Sequence, residues 1–161
     1  MKHVRSVVAL LGMRTLLLLV TISLFGFTAV NEELDKANGF DKYKFGAAPA
    51  SFQNLSIELD EGSTKLYSCN DLPHLTGVQL EYLRLTFCKN QLSAISIATN
   101  NGSAAKLMHY LLDKYGPAKS VKKNSEWQGK KVYLIYEPIG AGKDAIVSYY
   151  SNEICKQAAK K

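Results

Sequence analysis

Apolar and polar residues alternate through Gly77–Ala98, which reads GVQLEYLRLTFCKNQLSAISIA. Period-two alternation sends neighbouring side chains to opposite faces of a sheet. Leu83, Leu85 and Phe87 fall on one face, and Tyr82, Arg84, Thr86 and Cys88 fall on the other. Lys89-Asn90-Gln91 is short and polar, and Asn tolerates the left-handed conformation of a tight turn. On the return, Ile95 and Ile97 alternate with Ala94, Ser96 and Ala98. The stretch predicts a β-hairpin. Its Leu83, Leu85, Phe87, Ile95 and Ile97 face needs cover, because a lone hairpin is marginal in water.

Downstream, Ala104, Leu107, Met108, Leu111, Leu112 and Tyr115 recur at helical spacing, which predicts an amphipathic helix able to provide that cover. Ser103 stands at its N-cap position, and Gly116-Pro117 stops it. Val132–Glu137 and Ala145–Ser151 alternate around the glycine-rich turn Pro138–Lys143 and predict a second hairpin. Upstream, GFDKYKFG at Gly39–Gly46 reads as a short extended piece that docks Phe40, Tyr43 and Phe45. Pro49–Leu55 reads as a short helix with proline in its first turn. Residues 56–69 read as extended around a turn at Glu61-Gly62-Ser63. Residues 119–131 read as a basic loop around Trp127, and 152–161 as a short basic tail. The fold class that follows is α+β: an antiparallel sheet of two hairpins packed against one main amphipathic helix, with a short N-terminal helix. It forms a single domain over residues 39–161.

The first thirty residues are of another kind. Lys2, His3, Arg5 and Arg14 precede Leu16–Val30, which carries no charge. Such a run matches the hydrophobic region of a secretory signal and is short for a membrane span of about 20 residues. Bulky Phe27 disfavours cleavage after Ala29, so an uncleaved N-terminal anchor is the alternative and a buried N-terminal helix a third reading. Residues 1–30 are thus a signal peptide or an N-terminal anchor, and NEELDKAN at 31–38 is a polar lead-in. Either leading reading places the body outside the cytoplasm, periplasmic or secreted, or membrane-anchored and facing outward. Contact with a membrane is then expected only through an uncleaved N-terminal segment.

The formal net charge of +6 overstates how basic the body is, because Lys2, Arg5 and Arg14 supply half of it without an opposing acid. Nucleic acid is not an expected partner. A local basic surface remains at Lys114, Lys119, Lys122, Lys123, Lys130 and Lys131. Tyr82, Arg84, Lys122, Lys123, Trp127, Lys130 and Lys131 are the candidate contact surface for a protein or an anionic envelope component. The alternative is a solvated lysine-rich loop that Trp127 anchors inward.

No motif names a reaction. Gly140-Ala141-Gly142-Lys143 has Glu137 where a phosphate loop needs its first glycine and Asp144 where it needs Ser or Thr, and a strand rather than a helix follows. Cys69, Asp71 and His74 share a loop but lack the fourth ligand of a closed zinc site. No catalytic, cofactor-binding or metal-ligating residue is assigned. A hydrolase-like site would need His74 or His109 brought by folding to a cysteine or carboxylate. In an oxidising compartment Cys88 pairs with Cys155 or Cys69, and three unpaired, buried thiols are the alternative.

A series of landmarks then runs through residues 39–151: Phe45-Gly46, Phe52, Tyr67, Phe87–Leu92, Tyr115-Gly116-Pro117 and Trp127. It resembles a group of small exported bacterial proteins of unknown function. More loosely, the layout is similar to the outer-membrane assembly lipoproteins of the SmpA/OmlA type and to β-lactamase-inhibitor-like modules. The resemblance implies an exported, non-catalytic binding or scaffolding module of the cell envelope. A small hydrolase-like enzyme and a membrane-tethered structural domain are the other function classes.

Overall fold

The computed structural model describes residues 30–155. The signal-or-anchor segment up to Ala29 and the tail beyond Cys155 lie outside the described residues. Among the described residues no helix is long and apolar enough to cross a membrane. The elements are α1 (Glu32–Ala37), β1 (Gly39–Phe40), β2 (Tyr43–Lys44), β3 (Leu55–Glu61), β4 (Thr64–Cys69), β5 (Leu80–Cys88) and β6 (Gln91–Thr99). There follow α2 (Ala104–Tyr115), β7 (Lys119–Val121), β8 (Asn124–Gln128), β9 (Val132–Ile139) and β10 (Asp144–Ser151).

The α+β expectation is overturned. Strand makes up 48% of the described residues and helix 19%, and only α2 exceeds one or two turns. Eight strands form one antiparallel sheet in the order β3-β4-β5-β6-β10-β9-β8-β7, with β1-β2 as a separate ribbon. Two further hairpins, β3–β4 and β7–β8, extend the two that alternation reveals. Both lie at the rims of the sheet, where one side of each strand is wet and the apolar pattern is weak. The chain thus lays down a four-stranded meander, crosses by α2, and lays down a second that closes β10 against β6.

The central hairpin forms as its alternation dictates. Leu83, Leu85, Ile95 and Ile97 are 0% exposed and Phe87 1%. The turn contracts to Lys89-Asn90, both left-handed (φ 51° and 62°), and Gln91 pairs with Cys88. Left-handed residues at both central positions match the right-handed twist of the flanking strands.

Its cover differs from the expected single helix. From α2, Ala104, Leu107, Leu111 and Tyr115 are buried, while Leu112 is 38% exposed. The helix sits toward the second meander. Tyr136 Oη donates to Ala104 O (3.2 Å), Trp127 Nε1 donates to Gly116 O (2.8 Å), and Ala104 N donates to Lys143 O (3.1 Å). Ser103 does not cap with its hydroxyl, which accepts instead from Gln79 N at 3.1 Å. The other half of the core is filled by the N-terminal aromatics. Phe52 stacks on Tyr43 (5.5 Å) and contacts Phe87 (6.0 Å), Tyr67 meets Phe87 edge-on (5.4 Å), and Phe40 lies on Tyr149 (5.4 Å). Pro49–Ser51 is a single 3₁₀ turn rather than a helix to Leu55, which already opens β3.

The segment 31–38 is also part of the fold rather than a solvated lead-in. Asn31 caps α1 by accepting from Leu34 N (2.9 Å), and Leu34 is fully buried. Asp35 accepts from Lys130 N (2.7 Å), Lys131 N (2.8 Å) and Val132 N (3.0 Å). A Cβ at Gly129 would stand 2.1 Å from Asp35 Oδ1, so only glycine leaves room for this contact. Cys88 and Cys155 come to disulfide-bonding distance, with Cα atoms 6.3 Å apart, and Cys69 is free and buried.

Candidate functional site

Two places concentrate exposed chemistry: the sheet face turned away from α2, and a cleft beside α2. On the first, antiparallel partners share a face, so the register defines rows across the strands. Tyr82 pairs with Ala98, which pairs with Ile146. Arg84 pairs with Ser68 and Ser96, Ser96 with Ser148, and Ser148 with Ile135. Thr86 pairs with Ala94, Ala94 with Tyr150, and Tyr150 with Tyr133. Small residues therefore line the middle of the face, and longer ones flank it. None of these residues belongs to the main buried cluster of the described residues, although Ala98 itself is only 1% exposed.

Arg84 is held rather than loose. Its guanidinium lies 4.5 Å above the Tyr82 ring, and Nε approaches Glu58 Oε2 on β3 at 2.9 Å without the alignment of a hydrogen bond. Tyr133 and Tyr150 stack at 6.4 Å, and Tyr150 is 41% exposed. Ile57 and Leu59 of β3 are the most exposed large apolar residues of the described chain, at 53% and 49%. A bulge between them sends them to opposite faces of that edge strand.

The basic part of the candidate surface is not one patch. Lys122 and Lys123 form the exposed tip of the β7–β8 hairpin, and Lys130 and Lys131 are exposed at the other end of β8. Five residues of strand separate the pairs by about 17 Å. Tyr82 and Arg84 lie four strands from β8, about 19 Å. Trp127 leaves the surface altogether, because it is 2% exposed and faces the core with its indole N–H on Gly116 O.

The cleft measures about 340 Å³. Asp41 enters from the β1–β2 turn, His74 and Thr76 from the loop after β4, and Tyr110 and Lys114 from successive turns of α2, with Leu75 and Val78 as apolar wall. Lys114 Nζ donates to Tyr110 Oη at 2.9 Å and lies 5.3, 5.5 and 5.9 Å from the rings of Tyr110, Tyr115 and Phe40. Burial pulls its ammonium down, but the hydrogen bond to Tyr110 and the field of Tyr115 outweigh burial, and its pKa ends above the usual lysine value. Burial pushes Tyr115 up, against the pull of Lys114. Lys114, exposed but bonded to Tyr110, thus stays a cation and is not a nucleophilic amine. Alternation and heptad spacing do not reveal this group. Its sequence signal is Tyr110 and Lys114 four apart on α2, off the apolar stripe.

Of the groups a hydrolase-like site would need, folding brings His74 into the same cleft as Asp41 and sets His109 beside Asp113, while among the described residues neither histidine shares the cleft with a cysteine. Cys69 Sγ lies 3.5 Å from Tyr43 Oη in the interior, and His109 meets Asp113 at 3.4 Å on the outside of α2. No three His, Cys, Asp or Glu residues converge as a metal site among the described residues. The chain matches no known protein family, no curated protein and no solved structure.

Proposed function

We propose that the protein is an exported, non-catalytic binding or scaffolding module of the cell envelope, and that the uncovered sheet face is its contact surface. The observation that carries this reading is an eight-stranded sheet with one face packed and the other left open, its centre of Ala and Ser residues flanked by Tyr82, Arg84, Tyr133 and Tyr150. Two further features support export: the basic and then uncharged N-terminal segment, and the approach of Cys88 and Cys155, which form a disulfide only under oxidising conditions. Location is periplasmic or secreted, with an uncleaved anchor as the alternative.

Affinity capture from the native envelope tests the reading. The wild-type chain retains a reproducible partner, and the Tyr82→Ala, Tyr150→Ala double variant loses it while melting normally. Equal capture by both would refute the assignment of the face. The mass of the mature protein separates export with cleavage from anchoring, since retention of residues 1–29 means an anchor.

A further inference from the structure

The cleft beside α2 lies on the packed side of the sheet and is independent of the contact face. Its charges are of both signs. Lys114 is fixed by Tyr110 and three aromatic rings, and neither Lys114 nor Asp41 has an ion-pair partner among the described residues. Neighbouring charges are already matched, since Lys42 pairs with Asp71 just outside. A purely anionic ligand would meet Lys114 favourably and Asp41 unfavourably, and a purely cationic ligand the reverse. A ligand carrying both charges satisfies both. Leu75 and Val78 add apolar wall to the same cleft, Thr76 a hydroxyl and His74 an imidazole N–H able to donate to a carboxylate. The volume of about 340 Å³ is at the small end of the roughly 300–1,000 Å³ typical of ligand sites.

The geometry points to a binding site for a free α-amino acid with an apolar side chain. Its carboxylate lies against Lys114 and Thr76, its ammonium against Asp41, and its side chain against Leu75 and Val78. Lys114 acts here as a binding charge and no covalent step is involved.

The test is titration of the disulfide-intact chain with leucine, N-acetyl-leucine and leucinamide, followed by amide chemical shifts and calorimetry. Leucine binds with shifts confined to Thr76, Val78, Tyr110 and their neighbours. Each capped form binds about tenfold more weakly, as expected for loss of one charge-assisted contact. Lys114→Met, which keeps the stem over the rings, abolishes the preference for leucine over leucinamide, and Asp41→Asn abolishes the preference over N-acetyl-leucine. Absence of leucine binding, shifts elsewhere in the molecule, or N-acetyl-leucine binding as tightly as leucine would overturn the proposal. The comparison of capped ligands is made on the wild-type chain, so it stands even if a variant fails to fold.

Discussion

Asp35 accepts three backbone N–H groups from the turn that enters β9, and Gly129 leaves the space for its carboxylate. Asp35→Ala strands those donors, one of them on fully buried Val132, and should cost about 1–3 kcal/mol in denaturant unfolding. Gly129→Ala should cost at least as much in the wild type and less in the Asp35→Ala background, because the clash with the carboxylate is then gone. Additive losses would show that the two residues act separately. Burial raises the pKa of Tyr43, Tyr115, Tyr136 and Tyr149. A raised folded-state pKa contributes stability that is complete below the unfolded value of about 10 and is lost as pH rises through the folded values. Thermal melts should therefore fall above about pH 10, together with the near-ultraviolet signal of tyrosinate. A stability independent of pH through that range would contradict the burial of these phenols. None of these contacts is legible in the sequence. Asp35 reads as one more charge in NEELDKAN, because its partners lie far along the chain and no periodicity marks them.

Strands at the centre of the sheet are legible from their alternation, and β3 and β4 at one rim from the turn at Glu61-Gly62-Ser63, whereas β7 and β8 at the other rim are not. Leu83, Leu85, Phe87, Ile95 and Ile97 alternate because one face is packed and the other is wet. In β8 the inward-facing residues are Ser125 and Trp127 and only the second is apolar, so NSEWQ reads as a polar loop although it pairs with β9 along Ser125–Gln128. In β3 a bulge reverses the alternation between Ile57 and Leu59. The helix stripe predicted six inward positions, and the neighbouring sheet accepts four fully. Leu112 stays 38% exposed because α2 leans toward β10, and Phe52 rather than α2 packs on Phe87 of β5. Leu111→Ala should cost about 2–5 kcal/mol and Leu112→Ala less than about 1 kcal/mol, measured by denaturant midpoint. Equal losses would mean that the stripe of α2 is packed as its periodicity suggests. In the candidate surface, Tyr82 and Arg84 stand where alternation puts them. Trp127 leaves that surface and points inward, as the alternative reading of the loop expects, because an indole next to a core is worth more buried with its N–H satisfied than left in water.

Two four-stranded meanders joined through α2 make one continuous sheet, and the Cys88–Cys155 pair links the end of β5 in the first to the chain just after β10 in the second. A disulfide closing 67 residues should contribute about 2–4 kcal/mol. Melts with and without reductant, and peptide mapping of the native protein, check this. Isolation with Cys88 and Cys155 as thiols would remove the support they lend to export. The sequence left the partner of Cys88 open between Cys155 and Cys69, since pairing depends on a closure across both meanders. The same closure leaves the Ser96 face of the sheet outside the buried core of the described residues, and that face is the proposed contact surface. A photoreactive residue placed at Ser96, in the middle of the open face, and separately at Ala105, exposed on α2, tests it most directly. Irradiation in the native envelope should join a partner to the Ser96 position and not to the Ala105 position. Crosslinks from Ala105 alone, or equally from both, would contradict the assignment of the open face as the contact surface.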